Sequence, residues 1–119
     1  MPLLVGPAMF KTGAAFVASG MTAGAFGAHA LAPRLGEKVA TWHTASNYLI
    51  FNGLGLIALS QHPAIGRRWA GTMIAAGGIM FSGSIFGLML WRNQVGKILG
   101  PITPIGGLIL ITGYASLLF

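Results

Sequence analysis

The chain has 119 residues, 55% hydrophobic and 7% charged, with a mean hydropathy of +0.78 and a formal net charge of +6. That length suits one domain, and the composition is more apolar than a small soluble core can hide. The charge does not build a nucleic-acid face: the basic residues stand singly or in pairs between apolar stretches, where they mark membrane boundaries and meet anionic lipid headgroups. With no cysteine there is no disulfide, thiolate chemistry or cysteine-based metal site.

Four stretches, 12–33, 39–66, 69–91 and 98–119, contain no Asp, Glu, Lys or Arg. Each reaches the roughly 20 residues a helix needs to cross about 30 Å of hydrocarbon. The expected fold is all-α, an integral membrane up-down four-helix bundle forming a single domain over 1–119, with spans near 8–31, 42–61, 69–91 and 98–119. Four spans put both termini on one side. That side holds Lys11, Arg67 and Arg68, and the other holds Arg34, Lys38, Arg92 and Lys97, so the positive-inside rule leaves orientation open.

Segment one carries Lys11 at its outer end and closes on GAFGAHAL. A basic residue, an apolar run and Ala28-His29-Ala30 also fit a signal-peptidase site, but read from Met1 the segment is expected to be retained as an anchor. Gly20, Gly24 and Gly27, with Gly13, recur at helical spacing along one face. Helices in lipid gain little from packing Leu on Leu and associate through close backbone approach and interhelical hydrogen bonds, so this stripe is a packing surface. The alternative is a looser bundle with lipid between helices. His29 falls in the last turn before Pro33, where it can bond the last free carbonyls and complement the helix dipole when protonated.

The first link, Ala32 to Thr41, contains Glu37, the chain's one acidic residue, between Arg34 and Lys38. Glu37 is expected to find a basic neighbour in Arg34, or in Arg92 or Lys97 of the third link; the alternative is a solvated surface charge. His43 opens segment two on the membrane side of His29. A His29–His43 metal pair would have only Glu37 nearby as a third ligand, so no metal and no cofactor is expected.

Segment two starts at Trp42, read as an interfacial tryptophan. Thr44, Asn47, Tyr48, Asn52 and Gly55 fall on about one third of its circumference, opposite Leu49, Ile50, Leu56 and Ile57. Asn52 sits near mid-span, where an unpaired amide is costly. Asn47, Tyr48 and Asn52 are therefore read as interhelical glue, with Ser82, Ser84 or a glycine carbonyl of segment three as partners for Asn52. The other reading is a polar track for a proton or small solute, although no carboxylate lies in any span.

After the second link (His62-Pro63, Arg67-Arg68), segment three has tryptophan at both ends, Trp69 and Trp91, as an aromatic belt places it. Gly71, Ala75, Gly78 and Ser82 share one face, with Gly83 and Gly87 on the adjacent one. Arg92, Asn93 and Lys97 form the third link. In segment four Thr103 is the natural N-cap and Pro104 the first helical residue, which leaves 98–103 as irregular backbone or a separate kinked turn. Gly106 and Gly113 supply its packing face, with Gly107 alongside.

GAFGAHAL, an aromatic residue and TASNYLIFNGLGLIAL, FSGSIFGL and LGPITPIGGLILITGY together resemble the YgdD family. These are small multi-pass membrane proteins built on domain of unknown function 423, which also include transmembrane protein 256 of animals. The resemblance covers nearly the whole chain and keeps all four blocks in order. The family typically has histidine where this chain has Asn52, which argues against a titratable relay at mid-membrane. It has glycine where this chain has Ala30, which removes the usual helix-ending glycine after His29. The resemblance implies a bacterial cytoplasmic membrane or a mitochondrial inner membrane, and it brings no reaction and no catalytic residue.

The expected function is that of a non-enzymatic membrane protein, an accessory subunit or assembly partner of a larger membrane complex. Its partners would be the lipid bilayer and other membrane-protein subunits, not nucleic acid. The alternative is a small-solute or ion transporter or channel acting as an oligomer.

Overall fold

A computed structural model describes residues 6–62 and 69–118, the side chains of 32 and 92–97 excepted. In chain order they form α1 (Gly6–Phe26), a π-helical turn (Gly27–Leu31), α2 (Ala32–Leu35), a 3-10 turn (Gly36–Lys38), α3 (Val39–Ser60), α4 (Ala70–Ala115) and a closing 3-10 turn (Ser116–Leu118). No strand occurs among the described residues. Three stretches, Gly6–Leu31, Ala70–Trp91 and Ile98–Leu118, are long and apolar enough to cross a membrane. α3 has the length, 22 residues or about 33 Å, but its hydroxyl and amide side chains keep it out of that set.

The first link is shorter than expected and largely helical. Pro33 does not stop the helix: His29 lies in the last turn of the π-helical segment, and the chain continues into α2. A proline collides with the carbonyl four residues back, here that of His29, and a π turn widens the helix at that level. The reversal comes instead at Gly36, whose φ of 59° is left-handed backbone that glycine adopts without strain. The second link, 63–68, lies outside the described residues.

The third link also differs from expectation. α4 is helical from Ala70 to Ala115, and its one non-helical residue is Trp91, at φ −135° and ψ 42°. That kink divides α4 into an N-terminal arm (Ala70–Trp91) and a C-terminal arm (Ile98–Leu118) that folds back along it. Pro101 and Pro104 lie inside the helix, so 98–103 is neither irregular nor a separate turn. The hydroxyl of Thr103 donates to the Leu99 carbonyl at 3.4 Å and meets the hydroxyl of Ser84 on the other arm.

Met9, Phe16, Leu56, Leu59, Ala70, Ile74 and Leu110 form the buried core, drawn from α1, α3 and both arms of α4. Around it the helices touch backbone to backbone. A Cβ on Gly13 would lie 2.5 Å from the carbonyl oxygen of Gly53, and one on Gly53 would lie 2.6 Å from that of Gly13. A Cβ on Gly20 would lie 2.9 Å from the Ser46 carbonyl oxygen. In the second hairpin, a Cβ on Gly106 would lie 2.6 Å from the Phe81 nitrogen, and one on Gly77 would lie 3.0 Å from the Gly106 carbonyl oxygen. Such approaches maximise van der Waals contact where lipid tails compete equally for apolar side chains.

Candidate functional site

The polar side chains that face inward are concentrated where α3 meets the two arms of α4. α3 turns Trp42, Ala45, Ser46, Asn52, Gly53, Leu56 and Leu59 inward, a stripe at three- and four-residue spacing. Asn52 is 2% exposed, and its Oδ1 accepts a hydrogen bond from the Tyr114 hydroxyl at 2.8 Å. The partner is therefore on the C-terminal arm of α4, not on segment three as expected. Gly55 makes room for that phenol, since a Cβ there would lie 2.6 Å from its oxygen. The other end of the amide, Nδ2, has no hydrogen-bond partner among the described residues. It faces Gly78, where a Cβ would lie 3.5 Å away.

Two turns nearer the N-terminus of α3, the Ser82 hydroxyl donates to the Ala45 carbonyl at 2.8 Å, tying the N-terminal arm of α4 to α3. Ser46 donates to the Trp42 carbonyl within α3 at 3.2 Å. Ser84 spans the two arms through Thr103. These hydroxyl and amide groups sit among apolar side chains, where an unmade hydrogen bond is expensive.

Trp42 is not an interfacial tryptophan. It is 4% exposed, and its indole Nε1 donates to the Ala23 carbonyl of α1 at 2.8 Å. The ring lies 4.6 Å from Phe86 and 6.3 Å from Phe26, centroid to centroid. Gly27 makes this possible, because any Cβ there would enter the indole. Trp69 and Trp91, by contrast, are 51% and 55% exposed.

The remaining predicted residues fall as follows. Gly78 and Gly87 meet Phe16 and Leu99, while Gly113 lies against Met73 and Ile74. Gly71 is buried in the first turn of α4. Gly24 has only ordinary contact with Ser46, at 3.9 Å. Gly83, expected on a packing face, is exposed with nothing within 4 Å. Asn47 and Tyr48, grouped with Asn52 by their spacing, are exposed and point away from the bundle interior. Thus no continuous polar track runs inside α3: its polar residues divide between two faces. Tyr48 packs edge-on against Phe51 and Phe81.

At the rim, His29 and Glu37 are exposed and His43 is half-buried. Glu37 makes no ion pair with Arg34 or Lys38, which are themselves exposed, and the side chains of Arg92 and Lys97 lie outside the described residues. No group of three His, Cys, Asp or Glu among the described residues could hold a metal ion. A shallow groove of about 440 Å³ beside Trp42 is lined by Ala18, Ser19, Thr22, Ala23 and Phe26.

The pattern missed Gly53, Ser46, Gly77 and Tyr114. A signal for the first two exists: Gly13, Gly20 and Gly27 repeat every seven residues, as do Ser46 and Gly53, and the two series meet antiparallel. Tyr114 has no such signature, because only the tertiary fold brings it to Asn52.

Residues 23–107 match the family described as "Protein of unknown function (DUF423)". A UPF0382 membrane protein of Schizosaccharomyces pombe is 43% identical over 100 residues, covering 80% of this chain and 85% of the relative. A UPF0382 membrane protein of Staphylococcus haemolyticus is 44% identical over 99 residues, covering 80% and 79%. One of Staphylococcus aureus is 41% identical over 99 residues, covering 80% and 79%. No solved structure matches the chain.

Proposed function

This membrane protein belongs to the DUF423 family, and from that premise we propose that it is a four-span bundle serving as a non-catalytic accessory subunit or assembly partner of a larger membrane complex. Support for the fourth span comes from α3's position. It runs antiparallel to α1 with contacts at Gly13–Gly53, Gly20–Ser46 and Gly27–Trp42, along the whole of an apolar, spanning-length helix. A helix so placed shares the depth of its neighbour.

The observation that carries the functional reading is how the inward polar groups are used. Trp42, Ser46, Ser82, Ser84 and Tyr114 each bond within or between helices, so the polar chemistry inside the bundle holds it together. The site of action is then the bundle's outer surface, within a bacterial cytoplasmic membrane or a mitochondrial inner membrane. Purification in mild detergent, with mass analysis of what co-migrates, tests this. Stoichiometric association with another membrane complex is the expected result. A homo-oligomer free of other subunits that passes solute in liposomes would replace it with the second reading, a transporter or channel, which the unpartnered Nδ2 of Asn52 favours.

A further inference from the structure

We propose that the outward seam of α3 is a homodimer interface, closed inside the bilayer by reciprocal hydrogen bonds between the Asn47 amides of two copies. This rests on the four-span reading above.

Thr44, Asn47, Phe51, Leu54 and Ala58 are all exposed and recur at alternating intervals of three and four residues along α3. That is the spacing of a seam at which two helices cross at a shallow left-handed angle. Phe51 and Leu54 are 58% and 52% exposed, large side chains for such a seam. Tyr48, packed edge-on against Phe51 and Phe81 of α4, borders it.

Asn47 sets the chemistry of the occupant. The hydroxyls of Thr12, Thr22, Thr44 and Thr112 are turned back on their own helices, each donating to the carbonyl four residues earlier. The Asn47 amide, with two N–H donors and a carbonyl acceptor, makes no hydrogen bond to the described residues. It lies within about 4 Å of the midpoint of α3, counted at 1.5 Å per residue. Acyl chains at that depth offer neither donor nor acceptor. A second copy offers both. A two-fold axis along the membrane normal brings an identical amide to the same depth, and each donates to the other's carbonyl. A single asparagine at such a seam position also fixes the register of the pair. An unlike subunit would have to supply a donor and an acceptor together at this one level.

The chain has no cysteine, so single-cysteine variants report without background. Full-length Phe51→Cys, Leu54→Cys and, as an outer-face control on α1, Ala25→Cys, all keeping Asn47, would be purified and reconstituted in phosphatidylcholine vesicles. Each would be exposed to a water-soluble maleimide and, separately, to copper–phenanthroline oxidation. The proposal predicts that Phe51→Cys and Leu54→Cys resist the maleimide and form dimers of twice the chain mass, while Ala25→Cys stays largely monomeric. Protection of Phe51→Cys and Leu54→Cys with no more dimer than Ala25→Cys overturns the interface and leaves the four-span reading intact. Maleimide labelling of Phe51→Cys overturns both. In a fluorescence energy-transfer dilution series, Asn47→Leu should weaken dimerisation roughly tenfold and Asn47→Gln much less. Equal affinity for wild type and Asn47→Leu would remove Asn47 from the interface.

Discussion

Asn47 and Asn52 lie on the same helix, five residues apart, and they end in opposite situations. Asn52 is buried, held by a tyrosine from the far end of the chain and backed by Gly78. Asn47 is exposed and bonded to nothing among the described residues. The contrast shows why α3 is less apolar than its neighbours. Its inner face uses polarity to join the bundle, and its outer face carries an amide with no hydrogen-bond partner among the described residues. A helix meant only to face lipid would carry neither asparagine.

The largest expected effect is on the inner face. Gly53→Ala puts a Cβ 2.6 Å from the Gly13 carbonyl oxygen and 2.8 Å from the Phe16 Cβ, both fixed by packing. The cost should be about 1–3 kcal/mol, as for other overpacked cores. Gly83→Ala, in open space, should instead be neutral or stabilising by up to about 1 kcal/mol through helix propensity. Unfolding in detergent with rising SDS, followed by tryptophan fluorescence, separates the two. Equal losses at both positions would mean that close backbone approach is not what holds α1 to α3.

A smaller effect distinguishes the two asparagines. Tyr114→Phe removes the hydrogen-bond partner of Asn52 and should destabilise by about 1 kcal/mol. Adding Asn52→Leu should recover most of that loss, since a polar pair removed together leaves no orphan. Asn47→Leu should leave the unfolding of the monomer in detergent unchanged. A loss from Asn47→Leu matching that from Tyr114→Phe would erase the distinction between the faces.

How far the fold was legible follows from what each residue needs. Charge-free runs mark spanning helices because the bilayer forbids charge, and α1 and both arms of α4 are long and apolar enough to cross. Glycine stripes located Gly20, Gly27, Gly78, Gly106 and Gly113, since only small residues allow helices to touch; at Gly83 the same stripe has no neighbour. The ends of segments were harder. Pro33 read as a stop and Pro104 as a first helical residue, yet a π turn carries the chain past the first and α4 runs on through the second. Trp42 read as a belt residue because nothing in its own segment announces that Gly27 has cleared space for an indole. The polar stripe of α3 failed most instructively: spacing groups Asn47, Tyr48 and Asn52 together, whereas two neighbouring hairpins divide them.

The central claim is that α3 crosses the bilayer with a bundle face and an outer face, and labelling from the two sides of the membrane tests it most directly. Lys38→Cys and Gln61→Cys flank α3 in an otherwise cysteine-free chain. In vesicles of uniform orientation, a membrane-impermeant maleimide added outside should modify one and not the other, with the pattern reversed when the reagent is trapped inside. Modification of both from the same side would place α3 outside the hydrocarbon and contradict the account.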